Sequence, residues 1–313
     1  MRIIKPKKLV KGALIGIISP SSPIDDISKI EKGVSYLEKQ GFNVIVGKNV
    51  GVEKGYLAGE DSDRLDDLHA MFKNKEVKAI FSLRGGYGSG RLLNKLDYNL
   101  IKNNPKIFVG YSDITALQMA IYAKTGLVSF AGLMVGVDFY DEVSEFAEEI
   151  FWRTITSNKK IGRIENPNGE KIYVMNKGRA QGRLLGGNLT VLTSLLGTPY
   201  LPSFKDAILF LEDINEQPYR IDRMLNQLKL SKMLSQIRGV VLGRFVNCYE
   251  SDMTKKTLSL NEVILEYFSN IKIPVVYNVK HGHTHENITL PVGLKCNLNA
   301  SRSFIEILEN AVS

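Results

Sequence analysis

KIFVGYSDITAL, residues 106–117, joins a short apolar run to the start of a helical pattern. Ile107, Phe108 and Val109 read as a buried strand, and Ile114, Ala116 and Leu117 open a helix. Gly110, Tyr111, Ser112 and Asp113 form the turn between them. Two readings of Ser112 follow. Serine and aspartate are favoured at helix N-termini, where their side-chain oxygens accept from unpaired N–H groups. Alternatively, a tight turn after a glycine pushes a serine hydroxyl out above a sheet, beside the helix N-terminus, as a nucleophile. The second glycine of the usual nucleophile-elbow motif is missing. Under the second reading the Asp113 N–H faces a developing oxyanion.

The same strand–turn–helix unit recurs around this stretch. Strands are expected at 13–20 (ALIGIISP), 42–47 (FNVIVG), 77–83 (VKAIFSL) and 107–111, and helices at 27–41, 61–74 and 114–126. Such alternation predicts a parallel sheet covered by helices, with ligands at the carboxyl ends of its strands. The turn 110–113 and the glycine-rich loop RGGYGSG (84–90) both fall at such ends. Residues 156–178 are polar, with turn signals at Asn166-Pro167 and Asn168-Gly169, and read as an interdomain segment. Beyond them lie short strands at 207–213, 237–245, 274–279 and 303–309, with helical stretches near 187–196, 218–230 and 259–269. The expected division is an α/β unit over 1–155, a crossing segment over 156–178 and a β-rich unit over 179–313.

The 313 residues carry a formal net charge of +8, and the pI is about 9.2. The basic residues are scattered, with no tract of five, so a nucleic-acid partner is not expected; the charge suits the approach of an anionic substrate. No apolar run is long enough to span a membrane. The apolar run 13–18 is short, contains Gly16, and reads as a first buried strand in place of a signal segment. A cytoplasmic protein is expected. Cys248 and Cys296 stand alone, in no metal-ligand spacing, and packing is their expected role.

Three stretches offer chemistry. The loop 84–90 lacks the Gly-Lys-Ser/Thr of a P-loop and the spacing of a dinucleotide fingerprint. It is either a tight loop of close backbone approach or a source of oxyanion donors at Gly86 or Tyr87. In AILFLED, 207–213, a buried strand ends at Glu212-Asp213; such a carboxylate orients a catalytic histidine or serves a surface turn. In VKHGHTHENITLPVG, 279–293, His281, His283 and His285 alternate. In extended chain they share one face, which suits zinc; with a bend at Gly282, one of them is a base and two are bystanders. The fourth histidine, His69, lies on a helix and is read as packing or surface.

Taken together, ISPSSP, GYLAGEDSDRLDDLHAMF, SLRGGYGSGRLL, VGYSDITAL, GRLLGGNLTVLTSLLGTPY, LFLEDINEQPYRIDRML and GHTHENITLPVG run along nearly the whole chain. In order and spacing they resemble the LD-carboxypeptidase family of serine peptidases, which includes muramoyltetrapeptide carboxypeptidases and microcin immunity peptidases. The resemblance implies a Ser112–Glu212–His283 triad, an oxyanion site at Asp113 with Gly86 or Tyr87, and neither metal nor cofactor. It also implies a flavodoxin-like or amidotransferase-like N-terminal domain, a smaller C-terminal β-rich domain, a homodimer and a small peptide substrate. With those partners the elbow reading of Ser112 overtakes the cap.

The leading function is removal of the terminal D-alanine from peptidoglycan tetrapeptides during cell-wall recycling. A microcin-immunity-type peptidase acting on peptidyl-nucleotides is the alternative within the fold, and it needs an aromatic platform for the base. The only tryptophan, Trp152, is read as packing. A metal- or ligand-binding protein using residues 281–285 is the alternative of another class. Replacement of His281 or His285 by alanine is expected to leave most activity, and that of His283 to abolish it.

Overall fold

The structure is a computed structural model and describes residues 2–252 and 254–313. In chain order its strands are β1 (Leu14–Ile18), β2 (Asn43–Val46), β3 (Val77–Ser82), β4 (Ile107–Gly110), β5 (Ser129–Ala131), β6 (Gly162–Ile164) and β7 (Tyr173–Asn176). There follow β8 (Arg179–Asn188), β9 (Ile208–Ile214), β10 (Gly239–Val246), β11 (Val275–Tyr277), β12 (Leu290–Val292), β13 (Lys295–Asn299) and β14 (Phe304–Ile307).

The first sheet has the order β12-β5-β4-β3-β1-β2. Its five N-terminal strands are parallel, in the flavodoxin-like order 2-1-3-4-5. β1, β3 and β4 are almost wholly buried, as expected of strands covered on both faces. The sixth strand, β12, pairs antiparallel with β5. It comes from beyond residue 179, so the chain crosses back to the first sheet after the histidine segment.

The second sheet has eight strands in the order β6-β14-β13-β8-β9-β10-β11-β7. Its centre, β8 to β11, is parallel, and its flanks are antiparallel. The crossing segment supplies two of its edge strands, β6 and β7. The longest strand, β8, was not expected from the sequence, because glycine is depleted in strands. Here its glycines are required: a Cβ on Gly186 would lie 1.8 Å from Phe210 O, and one on Gly187 2.4 Å from Thr115 Oγ1. That second approach brings β8 onto the helix Thr115–Thr125 behind Ser112.

Candidate active site

Ser112 follows β4 and adopts φ 62°, a left-handed conformation rare for a residue with a Cβ. It begins a 3-10 turn whose N-cap residue is Tyr111, and no side chain caps that turn. Its hydroxyl makes no hydrogen bond among the described residues, so the cap reading finds no support in geometry. Gly110 lets the turn close, since a Cβ there would lie 2.8 Å from Ile114 Cγ1. Strain of this kind, on the order of 1–3 kcal/mol, persists where surrounding contacts over-determine it.

Those contacts come from two other loops. Gly85 lies against Ser112, and a Cβ on it would sit 2.9 Å from Ser112 Cβ and 3.2 Å from Oγ. The Tyr87 N–H donates to Ser22 Oγ at 3.0 Å, which engages it away from an oxyanion. The Gly86 N–H donates to no partner among the described residues. Asp113 stands at the start of the 3-10 turn, where the first amides have no intrahelical acceptor. Gly85, Ser21, Ser22, Ser89 and Arg64 were not singled out from the sequence. The paired serines of ISPSSP, directly after an apolar run, pointed to Ser21 and Ser22, and the glycine-rich loop 84–90 contains Gly85 and Ser89.

Glu212 lies within β9, at 1% exposure, and not on a surface turn. Its Oε2 accepts from His283 Nδ1 at 2.7 Å. The backbone makes room for this pair at Gly282, φ 108°, where a Cβ would meet Glu212 Oε2 at 2.6 Å. Burial is the largest influence on His283 and disfavours its cation. The hydrogen bond and charge of Glu212, then Asp213 and Asp138, outweigh burial and hold its pKa above the ordinary 6.5. The neighbouring Asp213 accepts from Asn188 Nδ2 at 3.0 Å and from Thr190 N at 2.9 Å, holding the end of β8. Burial, helped by the Glu212 charge, pushes its carboxyl up to about 6.

The three neighbouring histidines do not share a face. The chain bends at Gly282, and His281, at 1% exposure, turns into the core with Nδ1 2.8 Å from Ile288 O. That carbonyl can only accept, so Nδ1 carries the proton. His285 lines a cavity that His283 also reaches. Among the described residues no group of three or more His, Cys, Asp or Glu side chains could hold a metal ion. The geometry therefore separates the residues on which a metal site at 281–285 depended. His69 is half-buried and accepts from the Asp97 N–H at 3.1 Å. Trp152 packs on Phe42, ring centroids 5.0 Å apart, with its indole N–H on Tyr36.

His283 meets the elbow through Tyr111, whose ring lies 5.1 Å from the imidazole. A cavity of about 570 Å³ opens there, lined by Tyr111, Leu133, Asp138, Tyr140, His283 and His285 among others. Asp138 faces it with one oxygen on the Met134 N–H at 2.8 Å, and burial raises its carboxyl to about 7. A second cavity, of about 600 Å³, is lined by Tyr87, Arg91, Asp113, Thr190 and Tyr200 among others. The two neighbours of Ser112 thus line different cavities. A buried carboxylate–imidazole pair and a strained, unpartnered serine are the residue types that nucleophilic acyl transfer uses, and Tyr111, next to that serine, is what brings the two loops into contact.

The chain belongs to the LD-carboxypeptidase family: residues 15–132 match its N-terminal domain and residues 181–298 its C-terminal domain. It is a serine-type carboxypeptidase, a hydrolase. It is 40% identical over 311 residues to a Bacillus subtilis protein named "Probable murein peptide carboxypeptidase", covering 99% of this chain and 95% of that one. It superposes on the muramoyltetrapeptide carboxypeptidase from Oxalobacter formigenes with a TM-score of 0.83, at 32% identity, covering 96% and 100% of the two chains. It also superposes on the microcin C7 self-immunity protein MccF, solved in complex with aspartyl sulfamoyl adenosine, with a TM-score of 0.91. That pair is 29% identical and covers 99% and 100% of the two chains.

Proposed function

We propose that the chain hydrolyses the bond between an L-residue and the terminal D-alanine of peptidoglycan tetrapeptides through Ser112, Glu212 and His283. The observation that carries this reading is the buried 2.7 Å Glu212–His283 bond, whose imidazole lies 5.1 Å from the ring of Tyr111, the residue before Ser112. His283 Nδ1 donates to Glu212, so Nε2 is the basic nitrogen that takes the Ser112 proton as Oγ attacks the scissile carbonyl. The oxyanion receives the N–H groups of Asp113 and Gly86. His283 then protonates the departing amine of D-alanine, and water, deprotonated by His283, hydrolyses the acyl-enzyme to free the tripeptide. Catalytic hydrogen bonds are commonly long before substrate binds, which is consistent with the unpartnered Ser112 hydroxyl. A cytoplasmic homodimer, divided near residues 156–178, completes the reading; both cysteines are free and buried, as in a reducing compartment. Among the described residues no helix is long and apolar enough to cross a membrane.

The test is mass-spectrometric digestion of a muropeptide tetrapeptide, with Ser112→Ala as control. Loss of one alanine with the wild type alone supports the reading, and loss with both removes Ser112 from it.

One observation favours a second reading. Tyr56 and Tyr87 are exposed and meet edge to face, centroids 5.6 Å apart, at the glycine-rich loop. Such a pair offers a nucleobase a stacking surface. Cleavage of a peptidyl-nucleotide, with the tetrapeptide left intact, would select the immunity-type activity instead.

A further inference from the structure

The proposed oxyanion donors come from different loops, Gly86 after β3 and Asp113 after β4. The β3–β4 ladder ends at Phe81 and Val109, so strand pairing does not set the distance between these two amides. Side chains set it. The Asp113 carboxylate, in a residue 5% exposed, accepts on Oδ2 from the Ser21 hydroxyl at 2.6 Å and from the Ser89 N–H at 2.8 Å. Ser89 Oγ returns a bond to the Asp113 carbonyl at 2.6 Å. Ser21 and Ser89 are both fully buried. Three loops, following β1, β3 and β4, therefore meet on one carboxylate.

Arg64, 2% exposed on the helix Asp61–Lys73, holds two of the same loops from behind. Its Nη1 donates to Pro20 O at 2.7 Å and to Gly88 O at 2.9 Å. Asp61 balances its charge through Nη2 at 2.5 Å. Ser22 adds a backbone bond to Gly85 O at 3.3 Å.

We infer that the Asp113 side chain is a positioning residue that holds the Gly86 and Asp113 amides at one oxyanion, with Ser21, Ser89 and Arg64 as its supports. This rests on the reading of Ser112 as nucleophile. The carboxylate touches no reacting atom; it acts through the placement of two N–H groups. Misplacing such donors costs transition-state binding and leaves ground-state binding largely intact. Asparagine retains an acceptor oxygen for Ser21 and Ser89, and alanine does not.

The experiment measures kcat, KM and affinity for a peptide boronic acid, whose tetrahedral serine adduct places an oxygen in the oxyanion site, together with thermal unfolding. Asp113→Ala is expected to lower kcat by about 10²-fold, to weaken the boronic acid by a similar factor and to change KM by less than about threefold. Asp113→Asn is expected to recover most of both losses. If Asp113→Ala does not fold, Ser21→Ala is the variant measured, with a loss of about tenfold expected in kcat and in boronic-acid affinity. Retention of both within about threefold by the folded variant overturns the inference, as does equal weakening of boronic acid and tripeptide product. Failure of the underlying site reading looks different: Ser112→Ala would then keep its turnover, and the inference would fall with it.

Discussion

Glu212→Gln removes one charge and almost no volume from a site with no room to rearrange. Glu212 is 1% exposed, its Oε2 lies 2.7 Å from His283 Nδ1, and Gly282 packs against it. An amide oxygen can still accept from Nδ1–H, but the charge that stabilises the imidazolium is gone. Where a buried carboxylate serves a serine–histidine pair, the isosteric amide lowers kcat by ~10⁴, and a loss of ~10³–10⁴ is expected here. The pH profile gives a sharper test. Burial, the largest influence on His283, lowers its pKa, and the Glu212 bond and charge are the main forces that raise it. Without them the acidic limb of kcat/KM moves to lower pH, while the plateau falls. Stability carries the same signature. Because the folded pKa of His283 stands above 6.5, the pair stabilises the fold fully below 6.5, and this contribution is lost as pH rises through the folded value. Relative to the wild type, Glu212→Gln therefore loses more stability near pH 6 than near pH 9. The assay is D-alanine release from a tetrapeptide between about pH 5 and pH 9, with thermal unfolding at both ends. A kcat within about tenfold of wild type, or an acidic limb that stays or moves upward, would refute the assignment of Glu212.

The other two histidines separate by burial. Because His281 is 1% exposed and engages Ile288 O, His281→Ala is expected to cost about 2–4 kcal/mol of stability while the folded fraction keeps its turnover. His285→Ala, at an exposed residue, should leave melting unchanged and keep most of the turnover; chemical unfolding and the tetrapeptide assay check both, and a turnover loss from all three histidines equal to that of His283→Ala would contradict the assignment. Asp138 should reveal itself through pH. Its carboxyl, raised from 3.8 to about 7, makes ionisation costly to the folded state, with no penalty below 3.8 and the full penalty above about 7. Asp138→Asn escapes that penalty, so it should gain stability on the wild type as pH rises through this window, and melting curves with a pH-independent difference would contradict the reasoning.

Much of this molecule is legible in its sequence. Buried strands such as 107–110 announce themselves by continuous apolar runs, and the helices that follow them by period and capping. Strand ends and bends drew attention to Ser112, to Glu212-Asp213 and to the three alternating histidines, and the family resemblance selected Ser112, Glu212 and His283 from among them. The flavodoxin-like order of the first sheet agrees with what the family resemblance implied. The extended-chain picture of His281, His283 and His285 failed at Gly282. Alternation in sequence predicts a shared face only while φ stays negative and extended, and here it does not. β8 escaped notice because its glycines answer to Phe210 and Thr115, residues far away in sequence, and not to strand propensity.

The sequence by itself determined the local elements, the class of sheet and the residue types able to do serine chemistry, since these depend on periodicity and neighbouring residues. Only the tertiary structure decided which side chains meet. Glu212 finds His283 across 71 positions, and Asp113 finds Ser21 across 92. It also decided that Tyr87 donates to Ser22, and that β12 returns to the first sheet after the histidine bend. Hydrogen bonds and burial between distant segments exist only once the chain has closed on itself, and they choose among candidates that local pattern leaves equal.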